Sequence, residues 1–406
     1  MKTRISSTTL LLLLSLVLSV RVLAQVRPNT FLMNGDHLLE TKIKINSGNE
    51  QCLAALKVLI STVGAPLNRV PYTVTDKTIM PPSGDKHDYM SLAPYWWPNP
   101  NTANGLPYIN KDGQTNPDID KVKDGDHARG VSRDVRLLGL AYYFTNDEKY
   151  AKKAAELLKI FFLNSATRMN PNIKYAQIIM GYDKVYGTGT IDTEKFPDLI
   201  DGVQLLASSP SWTAENNEAL KSWFSQYLDW LQTSEMGKAA SIAPNNIGTM
   251  YDLQTVTYAL YIGNKALAKS FLETRTFKRI DDQLKVNGEQ PYELARTGSW
   301  SYSNKNLEGW FNLATCAENL GINLWNYTSV NGKSLKKAFE FMVPYGAGTK
   351  AWPYQQIGTF KRESFISIAR TGSAVYKDLN LQPVLSGTHA KFVAGTDIGL
   401  LTSRYY

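Results

Sequence analysis

The chain has 406 residues, 20% charged and 43% hydrophobic, with a formal net charge of +8, two cysteines and four histidines. His37, His87, His127 and His389 are widely scattered and no HExxH or CxxC spacing occurs, so no metal site is visible. No arginine-rich run of the kind that binds nucleic acid is present, and the moderate positive charge suits an acidic polymer better than DNA.

Residues 1–24 combine Lys2 and Arg4, a leucine-rich run and the small-residue end Val22-Leu23-Ala24, which predicts a secretory signal peptide. Without it the formal charge falls to +5. No later stretch reaches the roughly 18 to 20 uninterrupted apolar residues of a membrane span. The expectation is a secreted monomer, extracellular or periplasmic, with residues 25–406 forming one domain because no linker-like composition divides them.

In chain order, residues 49–63 predict an amphipathic helix with Cys52, Leu53, Leu56, Leu59 and Ile60 on one side. Cys52 and Cys316 both sit on apolar helical patterns and read either as buried thiols or as a bridge. Residues 64–126 form a long irregular stretch carrying Tyr89, Tyr95, Trp96, Trp97 and Tyr108. Aromatics in a proline-rich loop either stack on sugar rings or staple the loop to the body. "LLGLAYYFTNDEKYAKKAAELLKIFF" (137–162) reads helix, turn, helix. In 213–233 Thr213 is a candidate N-cap, and the aromatic band of Trp223, Phe224, Tyr227 and Trp230 keeps core spacing. "TVTYALYIGNKALAKSFLETR" (255–275) repeats the helix pair around Gly263-Asn264, and in 306–325 Gly321 ends a third apolar helix with another apolar segment after it. Such pairs bury their faces only by stacking on neighbours, which predicts an all-α fold, an (α/α) toroid with long loops.

Three stretches gather polar groups: "KHDYMSLAPYWWP", "PNNIGTMYDLQ" and "PYELARTGSWSYSNKNLEGW". They offer Asn245, Asn246, Gln254, Arg296, Tyr89, Tyr251, Tyr302 and His87. Asp88, Asp252, Glu293 and Glu308 could supply a hydrolase's carboxylate pair, but none has a distinctive context. Amides, arginine and tyrosine suit β-elimination on a uronic acid polymer. Removing the C5 proton moves charge onto the neighbouring carboxylate, and preorganised donors stabilise that charge. A tyrosine whose pKa is lowered by cations can move the proton.

The motifs "DYMSLAPYWWPNP", "LAYYFT", "ATRMNPN", "AQIIMGY", "GTGTIDT", "NNIGTMYDLQ" and "ELARTGSWSYSNKNLEG", spread in order from about residue 80 to about 320, resemble the alginate-lyase-like domain of the (α/α)-toroid polysaccharide lyases. The resemblance implies a toroid with a central cleft, elimination on an acidic polysaccharide, and no required cofactor. Carried over by position, it places the carboxylate-neutralising amide on Asn246, the acid (or acid and base) on Tyr302, and the accompanying arginine on Arg296. His87 matches a histidine of the family; Asn245, Tyr89, Tyr95, Trp96, Trp97, Tyr251 and Gln254 are the expected substrate contacts. Family members often read Asn-Asn-His where this chain has Ile247, which cannot move a proton. In mannuronate or glucuronate the C5 hydrogen and O4 lie on one face, so a single tyrosine suffices. In guluronate they do not. The missing histidine therefore points to mannuronate- or glucuronate-type links, or else to a polyuronate-binding protein without catalysis.

Overall fold

A computed structural model describes residues 26–183, 186–386 and 399–402. The expected signal peptide and His389 lie outside the described residues.

Helix α1 (Gly35–Asn46) is started by the Asn34 side chain, which accepts from the His37 N–H, and α2 (Glu50–Thr62) by Asn49, which accepts from Cys52. The buried face of α2 is Cys52, Ala55 and Leu59, whereas Leu53, expected beside them, is 41% exposed. Glu50–Asn68 is the one stretch among the described residues long and apolar enough to cross a membrane. It carries Lys57, and its apolar side packs in the core, as a helix of a globular body does. Cys52 and Cys316 are both buried and free, so the bridge is not formed.

The first predicted pair is α3 (Asp124–Thr145) and α4 (Glu148–Leu158). Asn146 turns the chain in the left-handed region at φ 57°, and Asp147 caps α4. Helix α3 crosses α5 (Phe196–Gln204) at two glycines, where a Cβ on Gly139 would stand 2.5 Å from the Gly202 carbonyl oxygen. Only the missing side chains allow that approach.

Helix α6 (Ala214–Thr233) is capped by Thr213 as expected, and its aromatics are core. Phe162 meets Trp223 edge-on at 4.8 Å, and Trp223 stacks on Tyr227 at 5.2 Å. After the short α7 (Glu235–Ser241), α8 (Asn246–Tyr261) is buried at every position. A helix buried all round is an inner helix, and α8 packs between α6 on one side and α11 (Ser299–Glu318) on the other. Helix α9 (Lys265–Phe271) returns outside it and runs through one π-helical turn into α10 (Phe277–Gln283). Beyond Gly321 no helix forms until α12 (Leu335–Gly346), so the apolar segment after the third helix is turns, not the second member of a pair. Helix α13 (Ile366–Val375) packs back on α11. The result is the expected all-α toroid.

The long stretch before α3 lies over the end of the ring where α8 and α11 begin. Strand β1 (Met90–Leu92) pairs in parallel with β4 (Tyr175–Ile178), and β2 (Trp96–Trp97) pairs antiparallel with β3 (Ile109–Asn110). The chain's other end is tied in early. The Asp201 carboxylate on α5 accepts the backbone N–H groups of Phe31, Leu32 and Met33 at 2.6 to 2.9 Å.

Candidate active site

Asn245 opens α8 as its N-cap, its side-chain oxygen accepting from the Ile247 N–H at 3.2 Å. Its side-chain oxygen is thus spent on starting the helix. Asn246, the first residue inside the helix, is 2% exposed, and its backbone N–H donates to Glu293 Oε1 at 2.5 Å. Its side-chain Nδ2 lies 3.1 and 2.9 Å from the two Glu293 oxygens. The amide expected to meet a substrate carboxylate thus already holds one that belongs to the protein. Burial pushes the Glu293 carboxyl up to about 7, against the pull of the Asn246 donors, Arg296 and Lys305.

Glu293 lies within the single turn Pro291–Leu294, and Arg296 follows between that turn and α11. Arg296 grips Asp112 through Nη2 at 2.5 Å and Nε at 3.1 Å, and Thr297 adds its N–H and hydroxyl to the same carboxylate. Burial opposes ionisation of Asp112, but Arg296 and Thr297 outweigh it and hold the carboxyl below its usual range. The guanidinium carbon also lies 3.7 Å from the centre of the Tyr302 ring.

Tyr302, in the first turn of α11, donates to the Tyr95 hydroxyl at 2.7 Å. Tyr95, Trp96 and Trp97 are half-buried on the loop above. Trp96 meets Tyr182 edge-on at 5.3 Å, and Lys111 sits 5.0 Å from the Trp97 ring. Burial, then the Tyr95 contact, drives the Tyr302 phenol well above its usual 10. The expectation that cations lower this pKa is reversed in the free protein, because burial and the Tyr95 contact outweigh the lowering pull of Arg296. Tyr302 rests as a proton donor.

Four expected site residues fall elsewhere. Tyr89 is fully buried and donates to Asp192 at 2.9 Å, so it staples the loop and meets no sugar. Tyr251 is 3% exposed, in the core near Phe271. Gln254 is fully buried, its oxygen accepting from Thr193 and Tyr258 and its nitrogen donating to the Thr190 and Met250 carbonyls. A side chain so satisfied has nothing left for a ligand. His87 places Nδ1 2.6 Å from the Arg168 carbonyl, and among the described residues no contact joins it to Tyr302, Arg296 or Asn246. Ile247 is buried among core residues. Asp252 is consumed by Arg279, and Asp88 by Lys174 and Asn170. Asp112 escaped sequence reasoning because it lies 184 residues from Arg296, in an unremarkable Asp-Gly turn. Glu293 had one usable signal, its position three residues before Arg296.

A family model described as alginate lyase matches residues 73–352, more than two thirds of the chain. The chain belongs to the alginate lyase family. Membership places it among the polysaccharide lyases, and the motifs that suggested the resemblance all lie within the matched span. An alginate lyase from Bacteroides ovatus is 38% identical over 93% of this chain and 99% of its own, with a TM-score of 0.86. Alginate lyase A1-III from Sphingomonas species A1 is 17% identical over 86% of this chain and 93% of its own, with a TM-score of 0.51. A histidine-to-alanine variant of alginate lyase A1-III, complexed with a tetrasaccharide, is 16% identical over 86% and 93% of the two chains, with a TM-score of 0.55. The last two likenesses are of fold alone. No curated protein matches the chain.

Proposed function

We propose that this member of the alginate lyase family is an exported, active enzyme that cleaves a polyuronate of mannuronate or glucuronate type by β-elimination. The observation that carries the reading is the Tyr302–Tyr95 hydroxyl pair with Arg296 lying on the Tyr302 ring. The 38% identical relative, described as an alginate lyase, supports alginate as the first polymer to try.

In this reading a substrate carboxylate approaches Arg296 and displaces Glu293 from the Asn246 amide, and these donors stabilise the charge that grows on it when the C5–H bond breaks. The C5 electrons form the C4–C5 double bond and the C4–O4 bond breaks. O4 leaves with a proton from Tyr302. Because Tyr302 rests protonated, its phenolate must form transiently in the bound complex: the half-buried Tyr95 hydroxyl accepts the Tyr302 proton as it gives its own to solvent, and the nearby guanidinium stabilises the anion. It then takes the C5 proton and delivers it to O4 on the same face. Buried Ile247 supplies no second proton carrier, which is why same-face substrates fit and guluronate does not.

The test is incubation with mannuronan, guluronan and glucuronan while following the ultraviolet absorbance of the unsaturated product. Absorbance with mannuronan or glucuronan and none with guluronan is expected, and Tyr302→Phe should lower kcat by about 1,000-fold. Reducing ends without absorbance would mean hydrolysis, and binding with neither would mean that the fold retains only a binding role.

A further inference from the structure

One helical turn past the candidate active site, α8 and α11 flank a cavity of about 280 Å³. Met250 lines it from α8, four residues after Asn246, and Lys305 from α11, three residues after Tyr302. Residues three or four apart share a helix face, so this cavity is the next space along the same two inner helices, displaced by ~5 Å. It has room for a single sugar unit.

Its walls, apolar over more than half their surface, carry a surplus of cations. Lys195, Lys305 and Lys361 face two carboxylates, Glu194 and Glu308. Lys305 Nζ lies 2.8 Å from Glu194 Oε2 but off the line of a hydrogen bond, and Lys195 stands 3.8 Å from Glu308. Lys361 is exposed and makes no ion pair among the described residues. Asn304, 5% exposed, donates Nδ2 to the Trp300 carbonyl at 2.8 Å, while its Oδ1 is buried without a partner. A buried amide oxygen left unsatisfied is costly, and a hydroxyl donor would relieve that cost. Ser301 and Ser364 add hydroxyls at the rim.

We propose that this cavity is a binding subsite for one further uronate unit of the chain held at Tyr302, with Lys361 taking its carboxylate and Asn304 Oδ1 a sugar hydroxyl. The proposal rests on the polyuronate reading above, and assigns to this site a length preference: oligosaccharides long enough to fill the cavity bind more tightly than those that are not. Lysine point charges and scattered hydroxyls suit a carboxylated sugar.

The experiment compares wild type, Lys361→Ala and Lys361→Arg on mannuronate oligosaccharides of increasing length. Lys361→Ala should raise KM about 5- to 10-fold on the longer oligosaccharides with kcat unchanged, leave the shortest cleaved one unaffected, and be largely restored by Lys361→Arg. Equal KM for wild type and Lys361→Ala at every length would overturn the subsite and leave the lyase reading standing. If the wild type cleaves none of them, calorimetric titration with the longest oligosaccharide decides. A 5- to 10-fold weaker affinity for Lys361→Ala keeps the subsite while the catalytic reading fails; equal affinity, or no binding, overturns it.

Discussion

Glu293 is a carboxyl sealed at 1% exposure against the backbone and amide of Asn246, and its pKa of about 7 stands well above an ordinary 4.5. Between these values the folded chain keeps a proton that the unfolded chain releases. The group's contribution to stability is therefore complete below about pH 4.5 and is lost as pH rises through 7, a change of about 3 kcal/mol. Glu293→Gln removes it. Denaturant unfolding at pH 4.5 and 7.5 should show the wild type losing about 3 kcal/mol more than the variant, and parallel pH dependence would refute the assignment. Asp201, also pushed up to about 7 by burial, adds a slope of the same sign to both proteins. At this scale the sequence was only partly legible. Tyr302, Arg296 and Asn246 were found by motif and Tyr95 was named beside them, but Asp112 comes from a distant segment and spacing carries no trace of its pairing with Arg296, nor of the hold of Glu293 on Asn246. Tyr89 and Gln254 misled for the opposite reason: a polar group beside a motif looks available until the fold shows its hydrogen bonds already spent.

Helix α8 holds the site because its first turn is locked from outside. Arg279 on α10 binds both oxygens of buried Asp252 at 2.8 Å and reaches back to the carbonyls of Ser241 and Ala243, bracing the entry to the helix. The guanidinium passes directly over Gly248, where a Cβ would lie 2.1 Å from Arg279 Nη1 and 2.2 Å from the Ala243 oxygen. Gly248→Ala must displace one of them. It should cost about 3 kcal/mol in urea unfolding and lower kcat, since Asn246 sits two residues away; wild-type stability would show that Arg279 yields freely. Elements of this kind were readable where one face repeats. The turns at Asn146 and Gly263 and the Thr213 cap were all visible, because local chemistry sets them. Which face of α2 is buried was not fully visible, since Leu53 and Cys52 share a side by period and only neighbouring helices choose between them. The segment after Gly321 has the composition of a helix, but the chain there makes turns, with Trp325 anchored to Glu318 at 2.7 Å.

Over the whole molecule, the positive excess adds a long-range attraction for a polyanion, and mobile ions screen it over about 10 Å at 0.1 M salt. Raising sodium chloride from about 50 to 300 mM should increase KM on polymeric substrate several-fold with kcat nearly constant; a salt-independent KM would mean that binding is carried by short-range contacts alone. The toroid itself was legible from the recurrence of helix pairs, whereas the anchoring of the N-terminal segment to it was not. That anchoring depends on Asp201 gathering three N–H groups from a segment about 170 residues earlier. During synthesis Phe31, Leu32 and Met33 leave the ribosome long before their acceptor exists, so their amides wait in water until α5 has been made. The clasp therefore joins an early-made strap to a buckle from the middle of the chain, and helices can coil early while this long-range tie forms late.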